Sequence, residues 1–499
     1  MYEEKGKELY DTATVAIYDI ISDNLVNGEL PEDFSLPSEA KNNELYVVDG
    51  AMDGITLYHI GRSPVSSDSL HLIDILLRQI NEGDFDSAFL TLSRFAEKNT
   101  AIGSIDEFEG CIMDNVEQVN PSNLFNFAVE CMTCEDRELV KFGLEMMEIF
   151  AEPTEDLKGF LRILGLSDEF TLFVLFNIIT NWSNANEEIF ALAKKVHGWG
   201  RIHAVERLRP ETDEIRTWLL REGMNNKVSA EYSANAVFRK ADVAGLLKKK
   251  LSDENFSRIA LIMECLMSDG PMPGIRAVPD ADEVLSDFLK QVTKHKLTFE
   301  IIDTVYRIAI NRHYVAEKKK CDEILKTAKA EIILRKAIME NKGIAIAKYL
   351  DIDTAELIYD QMVADFGSHF QNCTFLIKND EYREKVLDLF RKRLPLYRMA
   401  NDKKQNYGLG NEYKDYTALV MLIGELKSYP MCGVDFVKLG LISPVANNRD
   451  MALQVLGSWC DLESRSLNDL SSELAAIVRE VKETVPTDKY RDIFEKLGI

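Results

Sequence analysis

The chain has 499 residues, 46% of them apolar and 28% charged, a globular mixture that excludes wholesale disorder. At about 150 residues per domain, this length amounts to about three domains or to one extended repeat array. The 59 Lys and Arg against 83 Asp and Glu leave a net charge of -24, which repels nucleic acid and anionic membranes unless basic residues are locally concentrated.

Only 26 Gly and 13 Pro interrupt a sequence rich in Leu, Ile, Ala, Glu and Lys, so helix is favoured. Residues 1–11 are charged and contain no apolar run of the signal-peptide type. The longest apolar stretch, 170–180, is broken by Asn177 and falls short of the ~20 residues a membrane span needs. Eight scattered cysteines do not form a disulfide scaffold, which points to a reducing cytoplasm. The last residues, Glu495 to Ile499, carry no lipidation or retention signal.

Residues 1–65 stand apart as an N-terminal cover. A helix is expected over 10–21 and a polar stretch over 24–43. Leu45-Tyr46-Val47-Val48 and Ile55-Thr56-Leu57-Tyr58 flank two Asp-Gly pairs, which predicts a small β-hairpin that packs over one end of the helical region beyond it. From residue 70 the pattern is helical. Helices are predicted over 71–80, 84–97, 105–117, 121–133, 136–151, 154–164, 168–181 and 184–196. Ser104 before Glu107, Asn184 before Glu187 and Asp353 before Glu356 have the spacing of capping boxes, and Ser252 precedes Asp253 and Glu254 as a simpler cap.

Arg201-x-x-Ala204-x-x-x-Leu208 recurs as Arg449-x-x-Ala452-x-x-x-Leu456. In each, the alanine and leucine lie one turn apart; the alanine permits close helix approach and the leucine fills the gap, as in the second helix of a HEAT-type repeat. The two Pro and two Gly of residues 268–274, extended by Pro279, break the helical run. The break is read either as an insertion between repeats or as a boundary between helical halves at 66–270 and 271–499. A polar loop is expected over 401–411, and final helices over 412–427, 447–461, 466–482 and 487–496.

Lys195-Val196-His197-Gly198-Trp199-Gly200-Arg201-Ile202-His203-Ala204, Glu214-Ile215-Arg216-Thr217-Trp218, Leu409-Gly410-Asn411-Glu412-Tyr413, Tyr429-Pro430-Met431-Cys432-Gly433 and Asn447-Asn448-Arg449-Asp450 make the chain after residue 70 similar to a family of bacterial HEAT-like helical-repeat proteins. Some members of that family carry the name limonene hydroxylase. The resemblance implies an all-α HEAT-like solenoid and supplies no catalytic residues. The hydroxylase name is at odds with the chemistry. Hydroxylation needs an oxygen-activating cofactor. None of the seven histidines follows a glutamate by three residues, as di-iron bundles require. No cysteine has a haem-thiolate setting, Cys432 fits a helix-capping turn better, and no dinucleotide-binding glycine motif follows a strand.

Other constellations each have a structural alternative. Cys131 and Cys134 could form a redox pair or half a zinc site, but core cysteines are common. His203 and Glu206, with His197 upstream, or His313 and Glu317, could bind metal or move protons, yet no third partner is identifiable. Trp199 and Trp218 read as packing residues, with ligand anchoring as the alternative. Residues 371–404 hold nine Lys or Arg against five Asp or Glu, with Arg391-Lys392-Arg393 at the centre and Tyr397-Arg398 nearby. Residues 312–336 contain Lys318-Lys319-Lys320 and Arg335-Lys336. Such runs usually face solvent. The expectation is a cytoplasmic, non-catalytic adaptor that binds a protein partner, basic if charge steers the encounter. No catalytic residue, metal or cofactor is assigned. An enzyme with a site between the helical halves, and nucleic-acid binding through the basic patches, are the alternatives.

Overall fold

The computed structural model describes residues 15–37, 47–268, 270, 272–340, 342–402, 413–483 and 487–499. Among these the chain is helical, with one isolated antiparallel bridge between Val26 and Glu29. It divides into two compact units, Met1–Ile324 and Leu325–Ile499, and the 268–279 segment lies within the first.

In the first unit alternate helices pack on one another in succession. The row runs through Ser67–Glu82, Ala101–Asp114, Arg137–Glu148, Thr171–Asn181, Trp199–Arg207, Glu231–Lys240, Asp253–Leu266 and Phe299–Ile310. The intervening helices, such as Phe85–Ala96, Pro121–Met132 and Ala185–Ala193, flank the row. Side-chain caps start many of these helices. Asp84, Asn120, Asp136, Thr154, Thr212, Ser252 and Thr298 each accept a hydrogen bond from a first-turn amide that has no partner inside its helix. The cap expected at Ser104 sits one turn earlier. Thr100 accepts from the Gly103 amide, and the Ser104 hydroxyl donates back to the Thr100 carbonyl. Asn184 precedes its helix without a cap bond and donates instead to Glu188.

The Arg137–Glu148 helix is buried without a break over 139–147. Neighbouring helices cover most of it, and the N-terminal segment adds to that cover, with Asp53 2.9 Å from Lys141. The amide of Ile17, which opens the Ile17–Asp23 helix, donates to the Cys134 carbonyl at 3.1 Å, and Tyr18 stacks on Phe160 with ring centroids 4.1 Å apart. The expected second hairpin strand is helical: Ala51–Ile55 is an α-helix that continues as a π-helix over Thr56–Ile60. Leu45 and Tyr46 of the expected first strand lie outside the described residues. The β-forming side chains at 55–58 pack on the helix row, and tertiary packing overrides their local preference. The segment also crosses the row laterally instead of closing one end.

In the second unit Ala446–Glu463 is the hub, packed by Lys414–Glu425, Val434–Leu441 and Thr487–Leu497. Trp459 is fully buried there and donates its indole N–H to the Leu426 carbonyl at 2.8 Å. Ala452 and Leu456 are buried in this hub, and Ala204 and Leu208 are buried in the first unit. The 403–411 part of the expected polar loop lies outside the described residues.

Candidate functional site

The chemistry-bearing side chains concentrate where residues 47–60 cross the helix row. Lys141, 1% exposed, sits at the centre of an ionic cluster. Its Nζ lies 2.9 Å from Asp53 Oδ2, 2.9 Å from Glu138 Oε1 and 2.6 Å from Glu169 Oε1. Arg137 adds a bond to Asp49 at 2.9 Å and one to the Pro37 carbonyl at 2.8 Å. Burial alone would lower the Lys141 pKa; the three carboxylates override it and hold the ammonium charged. The cluster has four carboxylates for two cations, so it carries two negative charges more than its cations balance. Burial pushes Asp53 up to about 7. Burial is the largest influence on Glu169 and would raise it, but Lys141, the Gly50 amide and Arg137 together hold it below its usual range.

The sequence makes this crossing geometrically feasible through its glycines. Gly50 adopts φ +73, a left-handed conformation. That turns its amide onto Glu169 Oε2 at 2.7 Å, and a Cβ here would overlap the Asp168 carbonyl. One turn on, Gly54 lies against the Trp199 ring so closely that any side chain would overlap it.

Beyond Gly54 the contact becomes aromatic. Tyr58 stacks on Trp199 and on His203, with centroids 6.1 and 5.8 Å away, and Tyr232 meets Trp199 edge-on at 4.9 Å. His59 Nε2 is 2.6 Å from the Tyr232 hydroxyl. His203 is fully buried, and burial lowers its pKa to about 3, so the ring is neutral.

Beside this crossing lies a cleft of about 310 Å³, walled by residues 30–35, 48–49, 166–168, 195, 197–199 and 227–228. Asp168 is its central acid. Its Oδ1 accepts from the amides of Gly198 at 3.2 Å and Gly200 at 2.8 Å, so it caps the Trp199–Arg207 helix from a neighbouring element. A side chain at Gly198 would collide with this carboxylate. Burial raises Asp168 to about 6, against which the two amides work. Ser167, also on the wall, has a buried hydroxyl without a hydrogen-bond partner among the described residues.

The residues singled out in the sequence fare unevenly. His203 is a core ring, while Glu206 pairs with Arg239 at 3.6 Å. His197 lines the cleft, with its pKa lowered by burial. His313 is exposed, and Glu317 pairs with Lys320 at 3.0 Å. Trp199 belongs to the core; Trp218 is half-buried between Phe190 and Arg201. Cys131 is buried with its thiol pKa raised by burial, and burial likewise pushes Cys134 up to about 11, so both are thiols near neutral pH. Cys432 lies in the turn before the Val434–Leu441 helix, where Gly433 has φ +59. All eight cysteines are free. The basic run of the second unit is largely engaged: Arg383 pairs with Asp380, Lys385 with Glu381, Arg391 with Asp388 and Asp435, and Arg398 with Asp415.

Lys141, Glu169, Asp53 and Asp168 escape sequence reading. Their one visible signal is the glycine spacing, in Asp49-Gly50…Asp53-Gly54 and Gly198-Trp199-Gly200, which marks close approach of backbone. Among the described residues no group of His, Cys, Asp and Glu is arranged to hold a metal ion, and no helix is long and apolar enough to cross a membrane. Comparison of the chain with protein-family models, curated proteins and solved structures gave no match.

Proposed function

We propose that this chain is a HEAT-like α-solenoid adaptor, allied to the bacterial helical-repeat proteins it resembles, that binds a protein partner through an acidic helical surface. The observation that carries this reading is the unbroken succession of alternate helices from Ser67–Glu82 to Phe299–Ile310. Repeat stacking of that kind builds a continuous core and leaves an extended surface whose role needs no chemistry. The net charge of -24 makes a basic partner surface the complementary one, because it would be steered into encounter. The compartment that goes with this reading is the cytoplasm, where free thiols persist. Nucleic-acid binding has less support, since the best basic run already spends its charges on neighbouring carboxylates.

The test is a gentle affinity purification of the full chain from its native cell, read by mass spectrometry at low and high salt. The expected result is one stoichiometric protein with a basic face that salt releases. Recovery of the chain alone at low salt overturns the reading.

A further inference from the structure

We propose that the cleft beside Asp168 is a binding site for an ammonium group, carried either by a small free amine or by a lysine side chain. Most of the cleft's charges are already satisfied. Its two lysines are committed to its own rim: Lys195 donates to the Gly28 carbonyl at 3.3 Å, and Lys227 donates to the Glu32 carbonyl and lies 3.4 Å from its carboxylate. Asp49 is held by Arg137. Among the described residues, no side-chain cation pairs with Asp168; Lys227 and Arg201 act on it only from a distance. Two backbone amides take Oδ1, and none of the described donors reaches Oδ2. Asp168 is half-buried, so its charged form is only partly solvated and a cation at Oδ2 would stabilise it.

Two further features fit a ligand. Ser167, the neighbour of Asp168 in the chain, also lines the cleft, and its buried hydroxyl, able to donate and accept, has no partner among the described residues. Phe34, half-buried on the same cleft, gives it an aromatic wall suited to the organic part of an amine or to the ammonium itself. The volume of about 310 Å³ lies at the small end of ligand pockets, which favours a compact amine over a nucleotide or lipid. The amine donates to Asp168 Oδ2, its hydrocarbon lies along Phe34, and no covalent step is involved. This site is independent of the adaptor reading, and either can fail alone.

The experiment uses the full chain and isothermal titration with benzylamine, its uncharged counterpart benzyl alcohol, and N-acetyl-lysine methylamide as a chain-borne ammonium. Benzylamine is expected to bind about tenfold or more tightly than benzyl alcohol, the worth of one charge-assisted hydrogen bond. A stronger response to the lysine derivative assigns the cleft to a partner's lysine; a stronger response to benzylamine assigns it to a free amine. Asp168→Asn keeps an oxygen for the Gly198 and Gly200 amides but removes the charge. It should lose the amine preference while its unfolding midpoint stays level or rises, a combination that a purely structural Asp168 would not give. Val228→Trp, at the exposed rim, should block all binding without touching the carboxylate. Equal affinity for amine and alcohol, binding that survives in both variants, or no binding of either amine overturns the proposal.

Discussion

The segment 47–60 is fastened to the helix row in two physically different ways. At one end Asp49 and Asp53 enter a buried ionic cluster around Lys141; at the other, Tyr58 lies among Trp199, His203 and Tyr232. The aromatic end gains by area and tolerates imperfection, because dispersion and hydrophobic burial fall off gradually with fit. The ionic end is all-or-none. Its charges cost several kcal/mol each to bury (order of magnitude) and are tolerable only while every partner is present. One strap can thus be set for register by charge and held down by rings.

The largest effect is expected at the ionic end. Lys141→Met leaves Asp53, Glu138 and Glu169 without their shared cation and should destabilise the first unit by about 3–5 kcal/mol in urea unfolding. A loss under about 1 kcal/mol would mean that the carboxylates simply take up protons, and the contrast between the two ends would collapse. At the aromatic end Gly54→Ala forces a methyl into the Trp199 ring and should cost about 1–3 kcal/mol, with Trp199 fluorescence shifting as Tyr58 is displaced.

Asp168 sharpens the contrast, because it is a half-buried charge lacking the paired cation that Lys141 supplies elsewhere. Its pKa in the folded chain is about 6, above the ordinary 3.8, so the folded state holds the proton more tightly than the unfolded chain. Stability therefore declines as pH rises through that interval. Asp168→Asn removes that decline and should be about 1–2 kcal/mol more stable than the parent at pH 7, read from melts at pH 4 and 7. A variant that loses stability at pH 7 would make Asp168 a structural charge like Glu169. The smallest effect belongs to the surface pair of Arg216 and Asp213, whose carboxylate side chain is fully exposed. Arg216→Ala should change stability by less than about 0.5 kcal/mol.

The helical class is legible because its causes are local. Ser252 is read as a cap from the sequence and accepts from the Asn255 amide, and the apolar spacing of the helices repeats every turn. Thr100 and Ser104 both stand before suitable residues, and only the packed helix chooses Thr100 as the cap. The hairpin expected at 45–58 fails for a different reason. Its Asp-Gly pairs are turn signals in isolation, but here Gly50 and Gly54 are small because Asp168 and Trp199 press on them. Lys141 is the hardest case. In Glu138-Leu139-Val140-Lys141 it looks like one member of a wet helical face, and only a segment 88 residues earlier makes it a core residue. Asp168 is invisible for the same reason, since its partners lie 30 and 32 residues away across a helix junction.

The strap also sets an order of events in the life of the chain. Gly50 bonds to a residue 119 positions later, and Tyr58 meets one 145 positions later. During synthesis, residues 47–60 are made early, yet their ionic end has no partners until residues 137–169 exist and their aromatic end none until residues 199–232 do. Contacts of such long range are slow to close, because the loop between them must first be ordered. The part of the row that the strap covers is therefore built bare, with Lys141 and Trp199 exposed, and is sealed only when the older segment folds back over the newer one.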